Sequence, residues 1–284
     1  MTGNAGGDYL DLNRAWWNER APLHVAGTEY GVERWKAGGE KLRPFELDEL
    51  GGHDGGVSGK TLVHPQCHFG LDTLSWARHG AHVTGLDFSE QAISAARSLA
   101  TEAGIVAEFV CGEVYDAPEL LGGRTFDIVY TGLGAINWLP DITRWASTMA
   151  ALVAPGGTFY LAEFHPYAYQ FAVGPLPELR VEYPYFRPTG EPVDWGELAE
   201  EVGSYGAPGA VTVHNRTIEW VHTLGQVVSA IIAAGLRIDF LHEHPQTLFR
   251  LFPWLTTDDA GDTYLMPPQM PSIPMMYSLR ARAD

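Results

Sequence analysis

The stretch LVHPQCHFGLDTLSWARHGAHVTGLDFS, Leu62 to Ser89, decides how the rest of this chain is read. It opens with the strand-like TLVHP, passes through the loop HPQCHFG, and continues into LDTLSWARHG, a helical segment with Gly80 as its expected C-terminal cap. HVTGLDF then has the composition of a second strand. Strand, loop, helix and strand in so short a span make one crossover unit. Such units are right-handed and build mostly parallel sheets.

The same rhythm runs on. In SEQAISAARSLATEAG, Ser89 is the expected N-cap, Ala92, Ile93, Ala96, Leu99 and Ala100 share one face, and Gly104 ends the helix. VAEFVCG and TFDIVYTG read as a third and a fourth strand, LPDITRWASTMAALVAPGG as a helix with a proline-glycine stop, and TFYLAEFHP as a fifth strand. Alternation of this kind predicts an α/β fold: a Rossmann-like, mostly parallel sheet with helices on both faces.

Outside this segment the pattern changes, and four parts are expected. Residues 1–59 form an N-terminal helical extension, with Leu10, Trp16, Trp17 and Leu23 on a stripe, followed by a flexible glycine linker, GGHDGGVSG. Residues 60–165 form the core. Residues 166–210, rich in proline, glycine and aromatics without a period, read as an inserted lid or cap. Residues 211–284 complete the core with VTVHNRTIEWVH as a resumed alternation, TLGQVVSAIIAAG as a helix, LRIDFLHEH as a strand, a proline-rich stretch, and MMYSLRAR as the terminal strand.

Composition bounds the function. With 284 residues, 45% of them hydrophobic, the chain can bury one sizeable core. Its 18 Lys and Arg against 35 Asp and Glu give a net charge of -17, which repels nucleic-acid backbones and anionic membrane surfaces. No apolar run approaches the length of a membrane span. Two cysteines, Cys67 and Cys111, and no apolar leader make the cytoplasm the expected compartment. Nothing in the sequence indicates an oligomeric state.

In open parallel sheets, ligands bind beyond the carboxyl ends of the strands, and an acid ending the second strand can grip ribose hydroxyls. Asp87 has that placement. Over residues 60–165, the segments TLVHPQCHFG, VTGLDFSEQAISAAR, FVCGEVYDAP, FDIVYTG and LVAPGGTFYLAEF together resemble the core of a class I S-adenosylmethionine-dependent methyltransferase. The resemblance implies a seven-stranded sheet whose last strand is antiparallel, S-adenosyl-L-methionine as cofactor, and a set of roles. His64 takes the position of the family's first-strand acid, and Gln66, His68 and Gly70 take those of its three loop glycines, with Cys67 between them in the cofactor loop. Asp87 would hold the ribose hydroxyls and Phe88 would lie against the adenine. Glu113 and the Val114 backbone would meet the adenine amino group, and Thr131 with Gly132 would face the methionine end.

Only Gly70 keeps the family's glycine, so the loop is degenerate. Glycine supplies either a positive φ or a close backbone approach. A dinucleotide demands both for its pyrophosphate, whereas S-adenosylmethionine has no phosphate. The altered loop therefore argues against an NAD(P)-dependent oxidoreductase more than against a methyltransferase. His64 replaces a negative group near the cofactor's ammonium with an imidazole that, when neutral, accepts one hydrogen bond. His64, Cys67 and His68 lack the second ligand pair that zinc sites carry, so no metal is expected, and Cys67 also reads as a small buried apolar group.

His165 is the candidate catalytic base, since it ends the fifth strand on the cofactor edge of the sheet, with Glu163 on the same strand face. The plain alternative is a structural strand-end histidine, and Asp87 can likewise be a strand-end acid that caps the next turn. Tyr167, Tyr169, Phe171, Tyr183, Tyr185, Phe186 and Trp195 can line an apolar pocket closed by Trp16, Trp17 and Trp138, or form a satellite core. The fourth strand ends in YTGLGAIN and lacks the Asn/Asp-Pro-Pro-aromatic signature of base methylation. The expected function is methyl transfer to a small-molecule acceptor in a lid-covered site. A catalytically silent, methyltransferase-like binding or regulatory protein is the alternative.

Overall fold

The computed structural model describes residues 5–188, 190–194, 204, 207, 209–258 and 263–284, with side chains from residue 9 onward. Helices α1 (Ala5–Ala26), α2 (Val32–Lys36) and α3 (Pro44–Leu50) precede the sheet. Then β1 (Thr61–Pro65), α4 (Leu71–Arg78), β2 (His82–Asp87), α5 (Glu90–Ala103) and β3 (Glu108–Cys111) follow in alternation. After the one-turn helix α6 (Ala117–Leu120) come β4 (Phe126–Thr131), α7 (Ile142–Leu152), β5 (Val153–Phe164), α8 (Leu224–Ala233), β6 (Arg237–His244) and β7 (Met276–Arg282).

These seven strands form one sheet in the order β3-β2-β1-β4-β5-β7-β6. The pairings among β1 to β5 are parallel, and β7 runs antiparallel to both β5 and β6. The seven-stranded, mostly parallel sheet with an antiparallel last strand is the arrangement expected from the sequence. The order reverses at β1 and β4, which places a crevice beyond their carboxyl ends.

Both faces are buried, as the unbroken apolar runs of parallel strands require. Val63, Val129, Phe159 and Leu161 pack with Trp145 and Met149 of α7 and Val227 and Ile231 of α8. Leu62, Ile128, Tyr130 and Tyr160 face the other way, onto Leu47, Leu50 and Trp76. The Ser89 side chain accepts from the Ala92 N–H at the start of α5, and Gly104 ends that helix in the left-handed conformation.

Three segments differ from expectation. In the glycine stretch 51–59, Val57 is fully buried, and a Cβ on Gly52 would stand 2.6 Å from Leu47 and 3.3 Å from Trp76, so the chain packs there as a tight series of turns. VTVHNRTIEWVH joins no main strand. Among the described residues Ile218–Glu219 pairs only with Val193–Asp194, and the Asn13 amide exchanges hydrogen bonds with the Ile218 backbone at 2.8 and 3.0 Å, which ties this segment to α1. The segment after β5 packs with a second one far along the chain. Ala168 and Phe171 share a core with Phe252, Leu255, Met266, Ile273 and Met275 from the β6–β7 connection, which carries its own three-stranded ribbon. No helix among the described residues is long and apolar enough to cross a membrane.

Candidate functional site

The loop after β1 adopts the backbone that its glycine-poor sequence makes costly. Gln66, His68 and Gly70 all sit at positive φ, 59°, 52° and 73°. A residue with a side chain in that region costs about 1 to 3 kcal/mol, so the surroundings must hold it. They do so through three hydrogen bonds. The Cys67 N–H donates to Leu86 O at 2.9 Å, the His68 N–H donates to Asp87 Oδ2 at 2.8 Å, and Gln66 Nε2 donates to Ala135 O at 2.8 Å. Gly70 alone has no room for a side chain, since a Cβ there would lie 2.6 Å from the Phe109 ring.

Asp87 closes β2 beneath this loop and is 7% exposed. Its Oδ1 accepts from the Ser89 N–H at 2.9 Å, while Oδ2 holds the loop through His68. The Phe88 N–H also acts on this carboxylate, and of its four acceptor positions at least one stays open to a further donor. Burial pushes the carboxyl from 3.8 up to about 6, against the pull of the backbone N–H donors. In the free protein the proton is held more tightly folded than unfolded, so this group's contribution to stability declines as pH rises between 3.8 and about 6. A diol that donates to Asp87 needs the ionised form, so ligand affinity has the opposite dependence. Titration calorimetry with S-adenosylhomocysteine is expected to show affinity about tenfold weaker at pH 5 than at pH 7.5, since one pH unit below the pKa leaves about a tenth of the carboxyl ionised. A flat profile would contradict diol recognition by Asp87.

Phe88, Glu113 and Val114 continue the same wall. Burial raises the Glu113 carboxyl, with the Asp116 charge adding to it. Helix α1 covers this end with Tyr9, Leu10, Asn13, Trp16 and Trp17. It is anchored where Asn18 accepts from the Ser89 hydroxyl at 2.7 Å and donates to Glu90 at 2.9 Å. Trp17 meets Trp138 edge-on at 5.2 Å and His68 at 4.9 Å.

His64 is buried, with Nδ1 2.9 Å from Thr73 Oγ1. Burial pushes its imidazole down to about 4, so it is neutral at pH 7. Burial likewise drives His68 well below its ordinary value, and neighbouring His24 adds to the effect. Beside His64, the cavity wall carries three charged groups that the sequence did not single out, Lys41, Arg43 and Asp72.

Two expected site residues lie elsewhere. Thr131 is fully buried, and its hydroxyl points to Met149 Sδ at 3.8 Å, on the α7 side of the sheet, so Gly132 alone of that pair reaches the cavity. His165 is not on the cavity wall. Its Nδ1 accepts from the Tyr167 N–H at 3.1 Å and its Nε2 faces Glu243 Oε1 of β6 at 3.0 Å. Burial lowers its imidazole despite that carboxylate. Glu163 does not orient His165. Its carboxylate accepts from the N–H groups of Gly134 (2.6 Å), Ala135 (2.9 Å), Ile136 (3.2 Å) and Phe164 (2.7 Å), bracing the turn after β4.

A single cavity of ≈ 1210 Å³ joins these parts. His64, Gln66, Cys67, His68, Gly70, Asp87, Phe88, Glu113 and Val114 line one region of it. Among the aromatics, Tyr169, Phe171, Tyr183, Trp16, Trp17 and Trp138 line it, while Tyr167, Tyr185 and Phe186 do not; Trp195 lies outside the described residues. Phe171 serves the satellite core as well. Leu248, Phe249, Arg250, Leu251 and Tyr264 add a wall from the β6–β7 connection that carries no short sequence motif. Gln66 Oε1, His68 Nε2 and Asp72 Oδ1 are buried on this wall without a hydrogen-bond partner. A ligand with a ribose diol, an adenine and an amino-acid end suits such a lining, because it brings donors and acceptors to the groups that lack them.

Residues 65–159 match a family model described as a methyltransferase domain. The ubiquinone biosynthesis O-methyltransferase of Erwinia tasmaniensis is 29% identical over 150 residues, 52% of this chain and 54% of the relative. The enzyme of the same name from Coxiella burnetii is 27% identical over 203 residues, 66% of this chain and 77% of the relative. The chain thus spans from about half to three quarters of the length of these relatives. An S-adenosylmethionine-dependent methyltransferase from Mesorhizobium loti superposes with a TM-score of 0.51 at 22% identity, covering 80% of this chain and 92% of that one. Magnesium protoporphyrin IX methyltransferase from Synechocystis, solved with bound S-adenosylmethionine, gives 0.51 at 16% identity over 99% and 100%. Over residues 65–159 the chain is similar in sequence to methyltransferase domains, and its likeness of fold to S-adenosylmethionine-dependent methyltransferases extends to the antiparallel end of the sheet.

Proposed function

We propose that this chain transfers the methyl group of S-adenosylmethionine to a hydroxyl oxygen on a small, largely apolar aromatic acceptor. The observation that carries this reading is continuity. One cavity runs from Asp87 and Glu113 to a wall of Phe164, Tyr169, Phe171, Phe249, Leu251 and Tyr264. The first end suits a nucleoside, and the second suits a flat apolar body. In this reading residues 60–165 hold the cofactor, the described residues of 166–210 form part of the cap, and those of 211–284 complete the sheet and the acceptor wall.

The sulfonium, when bound, supplies a methyl group with its leaving group already in place. The chain's task is then to align the acceptor oxygen and exclude water. Trp16, Trp17 and Trp138 close the site from the α1 side, and the cap aromatics close it from the other. The names of the Erwinia and Coxiella relatives support oxygen as the acceptor atom. The net charge of -17 favours a small molecule over a nucleic acid. The two free cysteines fit a reducing, cytoplasmic compartment.

Incubation with methyl-deuterated S-adenosylmethionine and a panel of phenols and catechols bearing apolar substituents, read by mass spectrometry, tests the proposal. The expected product is an aryl ether that carries the label. Labelled products confined to nitrogen or carbon acceptors would overturn the choice of oxygen.

A further inference from the structure

We propose that Asp72 and Lys41 form a charge-complementary seat for the amino-acid end of the bound cofactor, so that the negative charge missing at His64 is supplied from the first turn of α4. The inference rests on the cofactor reading above and assigns residues to an end of the ligand for which the strand itself offers only a neutral imidazole.

The charge count around Arg43 carries it. Arg43 Nη1 lies 3.0 Å from Asp72 Oδ2 and 3.1 Å from Glu46 Oε2, so one guanidinium serves two carboxylates. The trio keeps one net negative charge, and Lys41 on the same wall brings the group to neutrality, the balance a zwitterion meets. Glu46 is satisfied, because its Oε2 also accepts the Arg43 N–H at 2.9 Å and its Oε1 accepts the Tyr130 hydroxyl at 2.6 Å. Asp72 is not satisfied. Its Oδ1 is buried with no donor, and its residue lines the cavity. Burial pushes the Asp72 carboxyl up, but Arg43 and Lys41 outweigh that and hold it below its ordinary value, so it is an anion. A buried anion with a spare acceptor facing a ligand cavity calls for a cationic donor.

Lys41 provides the opposite charge on the same wall. Its Nζ stands 5.5 Å from the Tyr30 ring centroid, and no ion pair engages it among the described residues. An anion with a spare acceptor beside a cation with spare donors is the complement of an ammonium next to a carboxylate, which is the amino-acid end of methionine. His64 supplies no negative charge, since its ring is neutral and its Nδ1 is paired with Thr73.

The test compares two ligands by titration calorimetry on the full chain. S-adenosylhomocysteine carries the amino-acid end; 5′-methylthioadenosine has the same nucleoside and sulfur without it. Asp72→Asn is expected to weaken S-adenosylhomocysteine about tenfold, as loss of a hydrogen bond to a charged group does. Lys41→Gln is expected to weaken it about threefold to fivefold, in the range of a partly exposed ion pair. Both variants should bind 5′-methylthioadenosine within about twofold of wild type, which also reports an intact nucleoside pocket. Unchanged S-adenosylhomocysteine affinity in the variants, or equal loss for both ligands, overturns the seat. If Asp72→Asn does not fold, Lys41→Gln decides alone, because its side chain is only half-buried. A wild-type protein that binds neither ligand overturns the cofactor reading itself, and the seat with it.

Discussion

Asp87→Ala is expected to remove the stabilisation that S-adenosylhomocysteine gives to the wild-type protein. A ligand at a hundredfold over its Kd stabilises the folded state by about 2.7 kcal/mol, which for a chain of this size raises Tm by about 4 to 8 °C. In the variant the shift should fall to about 1 °C or less at the same concentration. Asp87 acts twice in the free structure, holding the loop by the His68 N–H and the start of α5 by the Ser89 N–H, and it keeps an acceptor position open for a diol. Its removal takes away the acceptor and loosens the positive-φ turn that shapes the pocket. Calorimetric melts with S-adenosylhomocysteine and with NAD in parallel measure this. A full shift retained by the variant would place the nucleoside elsewhere.

Glu163→Ala is expected to be strongly destabilising although it removes no core side chain. It strips the acceptor from the Gly134, Ala135, Ile136 and Phe164 N–H groups, all within a buried part of the site. A buried donor left without a partner costs about 1 to 3 kcal/mol, and water entering from the cavity recovers part of the total, so a loss of about 3 kcal/mol is expected. Tm should then fall by about 5 to 9 °C. The turn it braces also receives Gln66 Nε2 on Ala135 O, so S-adenosylhomocysteine affinity should fall along with stability. A Tm within about 2 °C of wild type would show that the turn stands without its carboxylate.

What the sequence revealed and what it hid follow one physical division. Features fixed by neighbours along the chain were legible: the Ser89 cap, the face of α5, Gly104, and the placement of Asp87 at the end of β2. The positive φ at Gln66 and His68 followed from alignment with glycines, but what tolerates it, a carboxylate nineteen residues on and a carbonyl sixty-nine residues on, appears only in three dimensions.

Features set by distant contacts were not legible. His165 does end up at the cofactor edge of the sheet, yet its ring direction is decided by Glu243 on β6, a neighbour only through the sheet order. Thr131 was one residue from the cavity, and side-chain alternation turned it toward α7. Asp72 reads locally as an ordinary acid in the first turn of a helix. Its role emerges from Arg43, twenty-nine residues earlier, and from the absence of an acid at His64. The cavity wall at 248–251 and Tyr264 sits in a proline-rich connection with no periodicity, and its packing with Ala168 and Phe171 appears only in three dimensions.

The most direct measurement is a crystal structure of the protein grown with S-adenosylhomocysteine. The expected result is a nucleoside in the crevice past β1 and β2, with both ribose hydroxyls within hydrogen-bond distance of the Asp87 carboxylate and the adenine between Phe88 and Glu113. A nucleoside bound away from Asp87, with that carboxylate engaged only by the His68 and Ser89 N–H groups, would contradict the account.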